Sequence, residues 1–256
     1  MIQTVLYDGS FPGFFAAVFE IYEYKIVEPD IQTEGSANIS LFSTPHISIP
    51  DKAKALRVMK ALQDKITVAA FGNFYRAYLS ELPGIENVLF RYIKYVISSK
   101  DSVEKNFANP DVLMIQQTAH KTDREKHRMK AFIRFQKTKD ELYYAIVQPD
   151  FNVLPLISSH FEKRYADQRW LIYDTRRKYG LYYDLKNVEE VNIAFNDQLQ
   201  SPCALSTIYD EKEDIYQSLW RAYFDSVNIK ARKNTKLHIQ HMPKRYWRYL
   251  VEKQPG

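Results

Sequence analysis

Apolar positions recur with a helical period at both ends of the chain and with a strand-like period in its middle. Val5-Leu6-Tyr7 is a short apolar run, Asp8-Gly9 turns the chain, and Ser10 is placed to cap a helix opening at Phe11-Pro12. That helix is predicted to run to about Tyr24, with Phe14, Phe15, Val18, Phe19 and Tyr22 on one side. A loop with short extended pieces follows over 39–49. Pro50-Asp51 then leads a helical stretch to about Leu82, where Pro83-Gly84 breaks it. A further helix is predicted over 85–98, and Asn109-Pro110 is a cap-and-first-turn signal for one reaching roughly Lys121.

The period changes after residue 130. The runs 131–135 and 142–147 flank a polar 137–141 and predict a β-hairpin; 170–174 and 179–184 flank Thr175-Arg-Arg-Lys178 and predict a second. Between them 156–166 is helical in pattern, and helices return over 211–226 and 244–250. The expected class is α+β, with helices at both ends around a central antiparallel sheet built from two aromatic hairpins. Nothing resembling a repeat or linker divides the chain, so a single domain over 1–256 is expected, with 228–256 as a basic segment within it.

Composition narrows the chemistry. Seven glycines lie too far apart for any glycine-rich phosphate loop, which excludes the usual nucleotide-cofactor enzymes. A single cysteine, Cys203, excludes a disulfide framework and a self-contained iron–sulfur cluster, and reads as a small buried residue beside Pro202. The start lacks a basic leader, and no segment is apolar for the roughly 18 residues of a membrane span. A cytoplasmic protein with no cofactor and no bound metal is expected; His238 and His241, the one close histidine pair outside the helical faces, lack a matching ligand set.

Charge is segregated. Residues 228–256 hold eight Lys or Arg against Glu252 alone, a net of +7, while the other 227 residues carry −2. Lys230, Arg232, Lys233, Lys236, Lys244, Arg245 and Arg248 suit phosphates, with Tyr246, Trp247 and Tyr249 as stacking faces; the plainer alternative is a solvated basic helix packed by its aromatics. A second basic stretch, 120–130, places His120, Arg124 and His127 on one helical face, with Arg128 and Lys130 beside them. Asp123 and Glu125 equally suit a salt-bridged exposed turn. Arg176, Arg177 and Lys178 would form a basic hairpin tip, able to grip a backbone or merely keep the tip soluble.

Carboxylates offer a different chemistry. Asp8, Asp150, Asp174 and Asp184 fall at predicted turns or strand ends, where aspartate usually caps backbone and occasionally performs acid–base work. Leu82-Pro-Gly-Ile85 is similar to a phosphate-binding helix–hairpin–helix turn, but Glu86 stands where a second glycine belongs, favouring a plain interhelix turn.

Six segments together resemble one bacterial family of DNA metabolism and repair proteins. They are Tyr7-Asp-Gly-Ser-Phe11, Asn106-Phe-Ala-Asn-Pro-Asp111, Arg124-Glu-Lys-His-Arg-Met-Lys-Ala-Phe132, Pro149-Asp-Phe-Asn-Val-Leu-Pro155, Arg164-Tyr-Ala-Asp-Gln168 and Gln240-His-Met-Pro-Lys-Arg-Tyr-Trp247. The resemblance implies a companion of a radical-SAM protein of DNA modification or repair; a similar domain occurs joined to uracil-DNA-glycosylase-like domains. No catalytic residue comes with it. The leading expectation is a nucleic-acid-binding protein of DNA repair or modification that works with such a partner. One alternative is a nuclease or base-removing hydrolase, with Asp150 and Asp8 as acids and His127 or His241 as base. The other is a protein adaptor without DNA contact.

Overall fold

The fold is that of a computed structural model, which describes residues 2–36, 44–192, 218–219 and 239–253. The chain forms two compact units, residues 1–123 and 124–256. The expected helix over 211–226, apart from 218–219, lies outside the described residues, as do Cys203, Lys230, Arg232, Lys233 and Lys236.

The first unit is built on β1 (Gln3–Tyr7), whose last four residues are all buried, the signature of a strand covered on both faces. α1 (Phe11–Glu23) follows, capped as expected: Ser10 Oγ accepts from the Gly13 amide at 2.9 Å. Its crossover returns the chain to β2 (Pro29–Thr33), which pairs parallel to β1, and β3 (His46–Ile47) pairs parallel on the other side. The expected 52–82 helix is two: α2 (Lys52–Gln63) and α3 (Val68–Tyr78). Thr67 breaks the pattern by capping α3 through its hydroxyl. α4 (Ile85–Ser98) completes a core around Phe14, Phe15, Phe74, Leu89 and Ile93.

α5 (Pro110–Phe132) starts at its anticipated Asn109 cap but runs well past residue 121. Its inward row is Val112, Ile115, Ala119, Thr122, Glu125 and Met129. The spacing of three and four persists, but two of those positions are polar, which masks the period in the sequence. Extension of α5 removes the expected strand over 131–135, leaving β4 (Gln136–Lys137) opposite β5 (Tyr143–Val147).

The second unit carries a five-stranded sheet in the order β4-β5-β6-β7-β8. β6 (Trp170–Asp174) and β7 (Tyr179–Tyr183) form the anticipated hairpin, and β8 (Val188–Val191) adds an antiparallel edge. The class is α+β, but the sheet is mixed: β5 pairs parallel to β6. Parallel neighbours need a crossover, and α6 (Leu154–Arg164) supplies it. Met129, Leu154, Ile157, Phe161, Trp170, Ile172 and Tyr246 pack on one face of this sheet, while Tyr144, Leu171 and Tyr173 are buried on the other. Gly180 is needed where β7 meets β6: a Cβ there would lie 2.9 Å from the Ile172 carbonyl oxygen. Among the described residues no helix is long and apolar enough to cross a membrane.

Candidate nucleic-acid interface

The second unit gathers most of the described basic residues singled out above and divides them into two sets. The inner set surrounds Glu125, whose side chain is only 2% exposed. Its carboxylate accepts from the Tyr246 hydroxyl and, at 2.9 Å, from the Asp150 amide. Arg245 Nη2 lies 3.1 Å from the same carboxylate and Arg128 Nη1 3.7 Å. Arg245 also reaches the Asp150 carboxylate at 2.8 Å, donates to the Tyr246 hydroxyl at 2.6 Å and lies over the Tyr246 ring. Burial first, and Glu125 second, push the Tyr246 phenol well above its ordinary range. The 3₁₀ helix Lys244–Tyr249 is thereby clamped to α5 and to the Pro149-Asp-Phe-Asn152 loop.

The hairpin tip is pinned to the same loop. Asp174, fully buried, accepts from the Arg176 and Arg177 amides at 2.8 and 3.3 Å and pairs with Arg177 Nη1 at 2.8 Å. Arg176 and Arg177 both donate to the Asp150 carbonyl, at 2.9 and 3.2 Å, and Arg177 also reaches the Pro149 carbonyl. Asp150 thus sits at the centre of an arginine lattice, engaged through amide, carbonyl and carboxylate alike. Trp247 is half-buried and donates to the Met242 carbonyl.

The outer set faces solvent. Arg124, Lys178, Lys244 and Arg248 are exposed, and Lys130 is half-buried near the end of α5. Lys178 holds φ = 59°, the left-handed turn that ends the tip. His127 and His241 are exposed as well. Glu125, which with Asp123 suits a salt-bridged exposed turn in the sequence, is instead buried in the inward row of α5. His160, on α6 one turn before Arg164, also went unnoticed beside the aromatic Phe161. Among the described residues no group of three His, Cys, Asp or Glu side chains could hold a metal ion.

Asp8 belongs to the other unit and caps its own loop. One carboxylate oxygen accepts from the Ser10 amide at 2.9 Å and from the Ser10 hydroxyl at 2.8 Å. It lies so close to the first turn of α1 that a Cβ on Gly13 would come within 1.9 Å of it. Beside it, Tyr78 donates to the Gly9 carbonyl at 2.5 Å and Tyr7 donates to Glu86 at 3.3 Å. Gly84, at φ = 76°, forms a turn in which the Ile85 amide donates to the Leu82 carbonyl; Glu86 is spent on Tyr7. Burial raises the Glu86 carboxyl, with Glu81 and Asp30 adding to the effect.

A mixed-sheet α+β unit with buried arginine–carboxylate pairs and exposed lysines defines a class of architecture rather than a known activity. The chain belongs to the family of a domain of unknown function, DUF4130, whose model matches residues 83–252. No curated protein matches the chain. Among solved structures, a pGpG-specific phosphodiesterase, PggH from Vibrio cholerae, is similar at 9% identity with a TM-score of 0.34, over 88% of this chain and 99% of that one. A likeness that slight carries nothing over to this chain.

Proposed function

We propose that the protein binds nucleic acid through the basic face of its second unit and serves DNA repair or modification alongside a radical-SAM partner enzyme. The observation that carries this reading is the sorting of its cations. Arg128, Arg177 and Arg245 are neutralised by buried carboxylates. Arg124, Lys130, Lys178 and Lys244 make no ion pair among the described residues. Unpaired surface cations release counterions when they meet phosphates, whereas internally paired arginines hold the scaffold. The +7 net charge of 228–256 adds to the same side. The partner and the repair context rest on the family resemblance of the six sequence segments.

The test is binding to labelled single- and double-stranded DNA across a salt series. Expected is a log–log slope of several units, at about 0.9 per phosphate neutralised on duplex. No binding at low salt would sink the reading and leave the basic segment as a docking surface for the partner protein.

A further inference from the structure

We infer that Arg245 and Arg176 form a phosphate-binding subsite on the second unit, which the Asp150 carboxylate occupies until a nucleic-acid backbone displaces it. The inference rests on the nucleic-acid reading above and deepens it by naming a contact point and the group that guards it. Asp150 touches three guanidiniums. Arg245 Nη2 lies 2.8 Å from its carboxylate, while Arg176 Nη1 and Arg177 Nη2 donate to its carbonyl at 2.9 and 3.2 Å. Among the described residues four arginines, Arg128, Arg176, Arg177 and Arg245, meet three acids here, Glu125, Asp150 and Asp174. Two of the acids are sealed in: the side chains of Asp174 and Glu125 are 0% and 2% exposed. Asp150 is the third, its side chain 48% exposed beside an Arg245 that is 40% exposed. An ion pair this open to water is weak and exchangeable, whereas the buried pairs are not.

The loop backbone stays in place when that carboxylate swings away. The Asp150 amide donates to Glu125 at 2.9 Å, its carbonyl holds Arg176 and Arg177, and the Tyr179 hydroxyl donates to the Asn152 side chain. Rotation of the Asp150 side chain breaks none of these contacts. Arg245 is likewise held without Asp150, by Glu125 at 3.1 Å and the Tyr246 hydroxyl at 2.6 Å, with its guanidinium over the Tyr246 ring. Arg176 is exposed and, among the described residues, its side chain is paired with no carboxylate. A phosphodiester brings the same single negative charge as the carboxylate and a second oxygen for Arg176, so it suits the same place. Lys244 and Lys178, both exposed, neighbour Arg245 and Arg177 in the chain and supply further cations beside the subsite. The plainer role for Asp150, bracing the 3₁₀ helix against the loop, predicts the opposite response to removal of the acid.

The experiment measures the affinity of the full chain for labelled duplex DNA across a salt series, with the thermal midpoint of each variant alongside. Asp150→Asn frees Arg245 from its internal anion, so one more counterion is released on binding. The variant is expected to bind about three- to tenfold tighter than the parent at about 0.1 M salt, with a log–log slope steeper by about 0.9. Asp150→Glu, which keeps an acid within reach, should bind as the parent does. Asp167→Asn, at an exposed acid on the turn after α6, changes the net charge equally and should give little of that gain. Adding Arg176→Gln to Asp150→Asn should return affinity and slope toward the parent. Parent-like or weaker binding by a folded Asp150→Asn makes the carboxylate a brace and overturns the subsite, as does an equal gain from Asp167→Asn. If Asp150→Asn does not fold, Arg176→Gln alone decides: a slope about one unit below the parent supports the subsite, and an unchanged slope overturns it. In each of these failures a parent that binds with a steep salt slope leaves the proposed function standing. A silent parent beside a binding Asp150→Asn supports both readings, and no binding by either overturns both.

Discussion

Glu86 in the first unit and Glu125 in the second are each held against a tyrosine hydroxyl, Tyr7 and Tyr246 respectively. Their surroundings differ in sign. Glu86 stands near Glu81 and Asp30, which together with burial drive it toward the protonated form. Glu125 faces Arg245 and Arg128 and accepts a backbone amide as well. Asp8 is spent on its own loop before α1, accepting from the Ser10 amide and hydroxyl. Asp174 is, like Glu125, buried against an arginine, Arg177. One unit therefore ends its central strand in acids held against a phenol and a local cap. The other buries its acids under arginines and leaves lysines outside. Charges counted along the chain therefore do not tell which cations are available, since neutralised and available cations alternate within a few residues.

The largest expected effect comes from cutting the clamp at its centre. Glu125→Ala removes the acceptor of the buried Tyr246 hydroxyl and of the Asp150 amide, as well as a partner of Arg245 and Arg128, and should cost about 2–4 kcal/mol in denaturant unfolding. A loss below about 1 kcal/mol would mean that the second unit does not depend on its internal ion pairs. Tyr246→Phe removes one donor to Glu125 while keeping the ring in the core. About 1–3 kcal/mol should be lost, with Arg245→Gln non-additive to it in a double-mutant cycle.

In the first unit, Gly13→Ala forces Asp8 off its Ser10 contacts and should cost about 1–2 kcal/mol. In an Asp8→Ala background the same change should cost less, because only the Ser10 hydroxyl oxygen, 2.9 Å from the new Cβ, still has to give way. Equal costs in both backgrounds would break the picture of Asp8 as a local cap. Glu86→Gln has the smallest effect and the clearest sign. A carboxyl raised in the folded state stabilises it below the ordinary value of 4.5 and loses that contribution as pH rises through the folded value. The glutamine variant should therefore be more stable than the parent at neutral pH, by about 0.5 kcal/mol, with the advantage vanishing as pH falls toward 4.5. An advantage that grew on acidification would reverse the assignment.

Much of this was legible locally. Ser10 before Phe11-Pro12, Asn109 before Pro110 and the Thr175–Lys178 tip each carry their own chemistry, and each forms where the sequence puts it. The parallel pairing of β5 with β6 was not legible, because α6 between them reads as an independent helix and register is set by strands far apart in sequence. The length of α5 was hidden by Thr122 and Glu125 at inward positions. For the candidate interface, the sequence named Arg124, Arg128, Arg176, Arg177 and Arg245 alike as phosphate contacts. It offered no sign that the last two are held by Asp174 and Glu125.

Composition and short-range order thus determined the class of the fold, the caps and turns, the aromatic hairpin and the concentration of positive charge toward the C-terminal end, since each depends on residues within a few positions of one another. Tertiary structure alone decided which cations remain available and which acids are buried. Asp150 meets Arg245 across 95 positions and Glu125 meets Tyr246 across 121, and a charge acts on a ligand only after its own partners are counted.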